Sequence, residues 1–164
     1  MRVRSWVTVC VVAFAGCAQN GPVSPERGEA TGGAPPPAHR SLADEQRRLA
    51  ELFRGTPVVF ALQKDGSLRV SVPLRYSFDH GRHAVKPPLG AVLERVAKSQ
   101  RVEPTRLTVT APTDPGAKGL LLATERASSA RDYMVAHGVP ATRFSIAAAG
   151  SGDVVIVVAE GAPH

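Results

Sequence analysis

Residues 107–134 read LTVTAPTDPGAKGLLLATERASSARDYM and contain the patterns from which the fold class is predicted. Apolar and polar residues alternate over 107–111, which is the pattern of a half-buried strand. Residues 112–119 are rich in Pro and Gly and predict a loop. A helix is expected from about Leu120 to His137, and Gly138 stands where a left-handed residue ends a helix. A strand, a loop and a helix in direct succession indicate one unit of a layered α/β domain.

The segments on either side of this unit also alternate between helix and strand patterns. Upstream, a helix is expected over Ser41–Arg54. Asp65-Gly66 supplies the turn of a hairpin between two alternating runs, the second of which extends from Leu68 to Leu74. A further helix begins at Pro87-Pro88. Downstream, two short strands lie on either side of a turn at residues 150–153. The order helix, hairpin, helix, strand, helix, strand, strand predicts an α/β sandwich in which helices cover one sheet.

Bulk composition restricts both the core and the chemistry. Hydrophobic residues make up 43% of the 164 residues but aromatic ones only 5%, so the core must be built from Val, Leu and Ala. Both cysteines, Cys10 and Cys17, precede the folded part, which excludes disulfides, cysteine-ligated zinc and thiol catalysis there. The formal net charge is +6. The Lys and Arg residues are nevertheless scattered and not interleaved with aromatic residues, so nucleic acid is not expected as a partner.

The N-terminus has the organisation of an export signal. Two arginines give a positive start, residues 6–14 are uncharged and mostly apolar, and the small residues Ala15-Gly16 follow. This is the pattern of a signal peptide. The apolar run is about nine residues long, whereas a membrane-spanning helix needs roughly 20. We therefore predict a signal peptide over residues 1–16 rather than a retained transmembrane anchor.

The end of this signal, Phe14-Ala15-Gly16-Cys17, resembles the lipobox of bacterial lipoproteins. The resemblance implies that Cys17 is acylated, with palmitate among its lipids, and that it becomes the first residue of the mature chain. Ala18, rather than Asp, after the cysteine agrees with sorting to the outer membrane. An ordinary cleaved signal with an incidental cysteine is the alternative.

A segment that cannot pack lies between the signal and the folded part. Residues 17–40 contain the run Pro35-Pro36-Pro37 and several further Gly and Pro residues. Such a composition offers too little apolar surface to offset the entropy of ordering. We expect a flexible tether there, followed by a lead-in helix over residues 41–56 and one folded domain over residues 57–160.

Three fragments of the folded part resemble the OmpA-like peptidoglycan-binding domain, the module of OmpA C-terminal regions and Pal-type lipoproteins. They are Ser77-Phe78-Asp79 followed by Val85-Lys86-Pro87, then residues 107–114, then Leu122–Ala127, which is similar to the family's Leu-Ser-x-x-Arg-Ala. The resemblance extends over roughly residues 68–158. It implies the OmpA-like α/β sandwich, with one mixed sheet covered by helices.

The resemblance also implies a ligand and a site. Peptidoglycan stem peptides often carry diaminopimelate, whose free end bears an ammonium and a carboxylate side by side. Asp114 would bind the ammonium, and Arg126 would take the carboxylate bidentately. Thr113 would add a hydroxyl contact, and Gly116 would let the backbone approach the ligand closely. The alternative is that Asp114 merely opens an Asp-Pro-Gly turn and that Arg126 is a solvated helix residue.

The chain departs from the family pattern at three places. Ala111-Pro112 replaces Gly-His, and Leu120-Leu121 stands where Tyr-Asn is common. The long loop that follows the Gly-x-Gly turn in the family is absent after Gly150-Ser151-Gly152. These departures bear on whether the binding site is complete.

We expect an outer-membrane lipoprotein, facing the periplasm, that anchors the membrane to peptidoglycan by non-covalent binding of the stem peptide, without a cofactor. The alternative is a degenerate OmpA-like domain that acts as a protein-interaction scaffold in a cell-envelope complex. A wall hydrolase is a third interpretation, although no nucleophile elbow, phosphate loop or carboxylate pair for acid–base work is present. His80 and His83 have a spacing that a metal could use, but no third ligand is evident and no metal is predicted.

Overall fold

The computed structural model describes residues 40–117 and 119–161. The predicted signal peptide over residues 1–16, the predicted lipidation site Cys17 and nearly all of the predicted tether lie outside the described residues. In the part that is described, the elements follow in the order α1 (Leu42–Leu52), β1 (Val59–Leu62), β2 (Leu68–Val72), α2 (Leu74–Ser77), α3 (Pro87–Gln100), β3 (Thr105–Pro112), α4 (Leu121–Ala136), a 3-10 turn (Ala141–Arg143), β4 (Phe144–Ala149) and β5 (Val154–Glu160).

The strands form one mixed sheet in the spatial order β1-β2-β5-β3-β4. Strands β3 and β4 are parallel and are connected by α4, as a parallel crossover requires. The other neighbouring pairs are antiparallel. The last strand, β5, inserts between β2 and β3, so that Ile156 pairs with Val70 on one side and with Val109 on the other. The predicted α/β architecture with one mixed sheet is confirmed.

The helices pack on one face of this sheet. Within β3, Leu107 and Val109 are buried, whereas Arg106 and Thr108 are exposed, because successive side chains of a strand point to opposite faces. On the covered side, the Phe53 and Phe60 rings lie 5.5 Å apart and join the end of α1 to β1. The largest fully buried apolar side chains of this core are Leu49, Leu68, Val70, Val72, Leu89, Val92, Leu93, Leu107, Met134 and Ile156.

Local signals set the helix ends. Ser41 caps α1 by accepting a hydrogen bond from the Asp44 backbone N–H at 3.1 Å. The helix α3 begins with two prolines, whose missing N–H groups are not needed in the first turn. Gly138 follows α4 with φ of +95°, and its N–H donates to the Val135 carbonyl at 2.9 Å. Glycine adopts this left-handed conformation without steric cost.

The second strand ends earlier than its pattern of alternating residues predicts. The alternation of apolar residues extends to Leu74, but β2 ends at Val72 and Leu74 begins the short helix α2. Pro73 lies at the junction, where it cannot donate to a strand ladder. Its carbonyl accepts hydrogen bonds from the Tyr76 N–H at 3.0 Å and from the Ser77 hydroxyl at 3.1 Å, which begin the helix α2.

In residues 40–117 and 119–161, none of the helices has the length and apolar composition of a membrane span.

Candidate functional site

Asp114 and Arg126 meet at the end of the sheet. Strand β3 ends at Pro112, and Asp114 opens a turn in which the Ala117 N–H donates to the Asp114 carbonyl at 3.0 Å. The chain then returns as α4, which carries Arg126 on the side that faces the sheet. Arg126 Nη2 lies 2.6 Å from Asp114 Oδ1. A sequence separation of 12 residues is thus closed by one strand-loop-helix unit.

Arg126 is buried completely, with 0% of its side chain exposed. Its Nη1 donates to the Pro112 carbonyl at 3.0 Å, its Nη2 to the Asp79 carbonyl at 3.0 Å, and its Nε to the Arg82 carbonyl at 2.9 Å. The guanidinium carbon also lies 5.3 Å from the centre of the Phe78 ring. A guanidinium has five N–H donors, so these three carbonyls and the carboxylate of Asp114 use most of them. The cation is therefore held from several directions.

Asp114 is held almost as closely, with 7% of its side chain exposed. Its Oδ2 accepts from the Gly81 backbone N–H at 2.6 Å, and His80 Nε2 lies 3.8 Å from the same oxygen. Burial alone would raise the pKa of Asp114. The Gly81 N–H and the Arg126 guanidinium outweigh it and hold the pKa below its ordinary value. Asp114 is consequently ionised in the folded protein at neutral pH.

Residues 79–84 form a strap across this pair. The side chains on either side of the strap, Phe78 and Val85, pack in the hydrophobic core, and the Lys86 N–H closes the base of the strap onto the Ser77 carbonyl at 3.0 Å. Farther along the strap, His83 Nδ1 lies 3.1 Å from Ser129 Oγ on α4. The strap thus connects the sheet end to α4 by polar contacts.

The sequence did not predict the role of the strap. The fragment Ser77-Phe78-Asp79 marked the region as similar to the OmpA-like family, but gave no reason to place it against Asp114 and Arg126. The contacts run through backbone atoms of residues 79–82 that are 33 to 47 positions away from their partners. Backbone groups are the same in every residue type except proline, so no side-chain pattern could have identified them.

The four predicted ligand-binding residues differ in their burial and in their contacts. Thr113 is buried, and its N–H donates to the Ala149 carbonyl at 3.0 Å. Gly116 is exposed at the turn with φ of +79°. Asp114 and Arg126 lie together, but as an ion pair with each other rather than as two charges that face a ligand. Arg126 is not a solvated helix residue, because helix α4 turns it into the fold. Equally, its guanidinium is engaged by the protein itself rather than offered to solvent, so the ligand-binding role of the four residues stays a prediction.

The histidines do not assemble a metal site in the described part of the chain. His80 has 88% of its side chain exposed, and His83 is exposed beside Ser129. Among residues 40–117 and 119–161, no group of three His, Cys, Asp or Glu side chains could hold a metal ion.

Solved structures that resemble this chain share its fold. A putative MotB like protein from Desulfovibrio vulgaris has a TM-score of 0.61 and 17% identity, over 76% of this chain and 95% of that one. The cell wall anchor of the T6SS from Pseudomonas aeruginosa has a TM-score of 0.58 and 18% identity, over 71% of this chain and 96% of that one. The periplasmic domain of Helicobacter pylori MotB has a TM-score of 0.55 and 18% identity, over 66% of this chain and 83% of that one.

Neither a protein-family model nor a curated protein sequence matches this chain. At identities below a fifth, the likeness to solved structures establishes the fold. The chain is a protein with the OmpA-like α/β fold, and the resemblance predicted from its three sequence fragments is confirmed.

Proposed function

We propose that this chain is an outer-membrane lipoprotein whose OmpA-like domain binds the stem peptide of peptidoglycan non-covalently and so holds the membrane to the wall. The observation that carries the proposal is the Asp114–Arg126 pair, an anion and a cation 2.6 Å apart at one end of the sheet. A zwitterionic amino acid end needs two such opposite charges within a few ångströms of each other. No catalytic step is part of the proposal.

The position of the chain's entry point supports this arrangement. Arg40, the first described residue, lines a surface cavity of about 260 Å³ together with Thr105 and Glu160. Thr105 begins β3 and pairs with Glu160, whereas Asp114 follows the other end of β3. Eight strand residues span roughly 25 Å at ~3.3 Å each. Arg40, where the predicted tether ends, therefore lies at the end of the sheet opposite the charged pair, and this attachment point does not cover the pair.

A sacculus pull-down tests wall binding directly. The full chain carrying Cys17→Ser, which removes the predicted acylation, is mixed with purified diaminopimelate-type sacculi and sedimented. We expect the wild-type domain to sediment with the sacculi and Asp114→Asn to lose most of this binding. Asp132→Asn is the matched control, since Asp132 lies on α4 in an exposed pair with Arg131.

The result of this pull-down depends on folded variants, so each variant is first compared with the wild type by circular dichroism. Folded wild-type protein that stays in the supernatant would rule out wall binding. Equal sedimentation of Asp114→Asn and the wild type would show binding at another surface.

The lipid anchor has its own matched pair of variants. If Cys17 is acylated, Cys17→Ser removes metabolic palmitate labelling and shifts the protein out of the outer-membrane fraction. Cys10→Ser should change neither, because Cys10 lies within the predicted signal peptide. Absence of palmitate label from the wild type, with the wild type and Cys17→Ser in the same fraction, would favour the ordinary cleaved signal instead.

A second function, an envelope scaffold without wall binding, is favoured by one specific observation. Arg126 is fully buried and bonded to three backbone carbonyls, which is what a purely structural ion pair would show. The short connection at residues 150–153, where the family has a long loop, points the same way. Absence from sacculi, combined with cross-linking of the full chain to specific envelope proteins in cells, would establish this function. Zymography on peptidoglycan would reveal hydrolysis, and so distinguishes a wall hydrolase from the wall anchor and from the scaffold.

A further inference from the structure

Backbone groups of the protein already form hydrogen bonds with both side chains of the charged pair. Nη2 and Nε of Arg126 donate to the carbonyls of Asp79 and Arg82, and the Gly81 N–H donates to Asp114 Oδ2. Nε and Nη2 share one edge of the guanidinium, and this edge takes the two oxygens of a carboxylate in a bidentate pair. The strap thus supplies two acceptors to the cation and one N–H donor to the anion, which is the hydrogen-bonding pattern of a zwitterion.

A tight turn brings these backbone groups together. The Arg82 N–H donates to the Asp79 carbonyl at 3.1 Å and closes a four-residue turn. Within this turn Gly81 has φ of +67°, a left-handed conformation that costs glycine nothing and other residues a measurable strain. The closed strap depends on this glycine.

Opening the strap would expose little new apolar surface. All six residues from 79 to 84 are already exposed, whereas Phe78 and Val85 on either side pack in the core. The Lys86 N–H to Ser77 carbonyl bond holds the base. A segment with fixed ends and no core side chains between them belongs to the part of a fold that opens locally at low cost.

We propose that the strap is an internal substitute for the ligand, and that a zwitterionic stem-peptide end binds by displacing it. This inference rests on the proposed function. After displacement, Arg126 keeps its bonds to the Pro112 carbonyl and to Asp114 Oδ1. Its Nε–Nη2 edge then donates to the ligand carboxylate, and Asp114 Oδ2 accepts from the ligand ammonium. The strap lowers the apparent affinity by the fraction of time for which it is closed.

The inference is tested with variants that destabilise the closed conformation of the strap and with a measurement of their binding to sacculi. The full chain carrying Cys17→Ser is titrated with purified diaminopimelate-type sacculi and the bound fraction is measured by sedimentation. Gly81→Ala strains the turn without a clash, because a Cβ at Gly81 would meet nothing within 4 Å. Gly81→Pro also removes the N–H donor. Gly55→Ala is the matched control, since Gly55 has φ of +81° and equally open space.

We expect Gly81→Ala to bind sacculi about fivefold more tightly than the wild type, because strain in the closed state shifts the strap towards opening. Gly81→Pro should bind at least as tightly, and Gly55→Ala should match the wild type. If Gly81→Pro does not fold, Gly81→Ala alone decides. Equal or weaker binding by folded Gly81→Ala, with the wild type still bound, overturns the inference and leaves the proposed function standing. If neither protein binds, both fall.

Discussion

Arg126 and Asp114 form an ion pair inside the fold, with Nη2 and Oδ1 2.6 Å apart and 0% and 7% of the two side chains exposed. The pair joins three segments that are distant in sequence, namely the strap of residues 79–84, the end of β3 and the helix α4. It therefore connects these three segments at one end of the domain, whatever it binds.

Removing the cation should destabilise the whole domain. Arg126→Ala leaves the Asp114 carboxylate buried without its counter-charge, and such changes cost about 3–5 kcal/mol. We expect the free energy of unfolding, measured by urea denaturation, to fall by that amount. In Arg131→Ala, which breaks an exposed pair with Asp132, the change should stay within about 1 kcal/mol. Similar losses in free energy of unfolding for the two variants would show that the buried pair contributes no more to stability than the exposed pair.

Acid should weaken the fold partly through Asp114. The pKa of Asp114 lies below its ordinary value of 3.8 in the folded protein, so folding favours the ionised form. Its contribution to stability is complete above the unfolded-state pKa and is lost as pH falls through the lower folded-state pKa. We expect the melting temperature of the wild type to fall more steeply than that of Asp114→Asn as the pH is lowered through and below 3.8. Parallel pH profiles would contradict this assignment.

Truncation of a buried side chain of α3 should destabilise the domain strongly. Leu93 is 0% exposed, and a buried Leu→Ala change costs roughly 2–5 kcal/mol, since it removes apolar contacts and leaves a cavity. Leu121→Ala is the matched substitution, because Leu121 is 75% exposed at the start of α4. Chemical denaturation should show a large loss for Leu93→Ala and a change within about 0.5 kcal/mol for Leu121→Ala.

Gly90 lies where α3 packs against the Tyr133 side chain of α4. A Cβ at Gly90 would lie 3.1 Å from Tyr133 Oη and 3.3 Å from Tyr133 Cζ, so a larger side chain must displace the Tyr133 ring or separate the two helices. We expect Gly90→Val to lower the free energy of unfolding by about 1–3 kcal/mol through overpacking. Ala91→Val places the same residue at the next, exposed position of the same helix, where the lower helix propensity of valine relative to alanine should cost less than about 1 kcal/mol. Valine has a higher helix propensity than glycine, so unchanged or increased stability of Gly90→Val would exclude overpacking.

Much of the architecture was predictable because its causes are local. Alternating residues marked the strands, Asp65-Gly66 marked the hairpin, and Gly138 marked the end of α4, each through the conformational preferences of a few neighbouring residues. The early end of β2 was missed because alternation persists through Leu74, while Pro73 diverts the chain into α2. The sheet order was not predicted, since the insertion of β5 between β2 and β3 joins segments far apart in the chain.

Most of the succession of helices and strands, and the absence of a thiol from the folded part, follow from the residues themselves. Asp114 and Arg126 were selected through the resemblance to the OmpA-like family. That this pair is buried and covered by the strap is apparent only from the packing of distant segments. The physical reason is that the covering groups are backbone carbonyls and an N–H from residues 79, 81 and 82. Such groups carry no side-chain signature, and their position depends on how Phe78 and Val85 pack in the core.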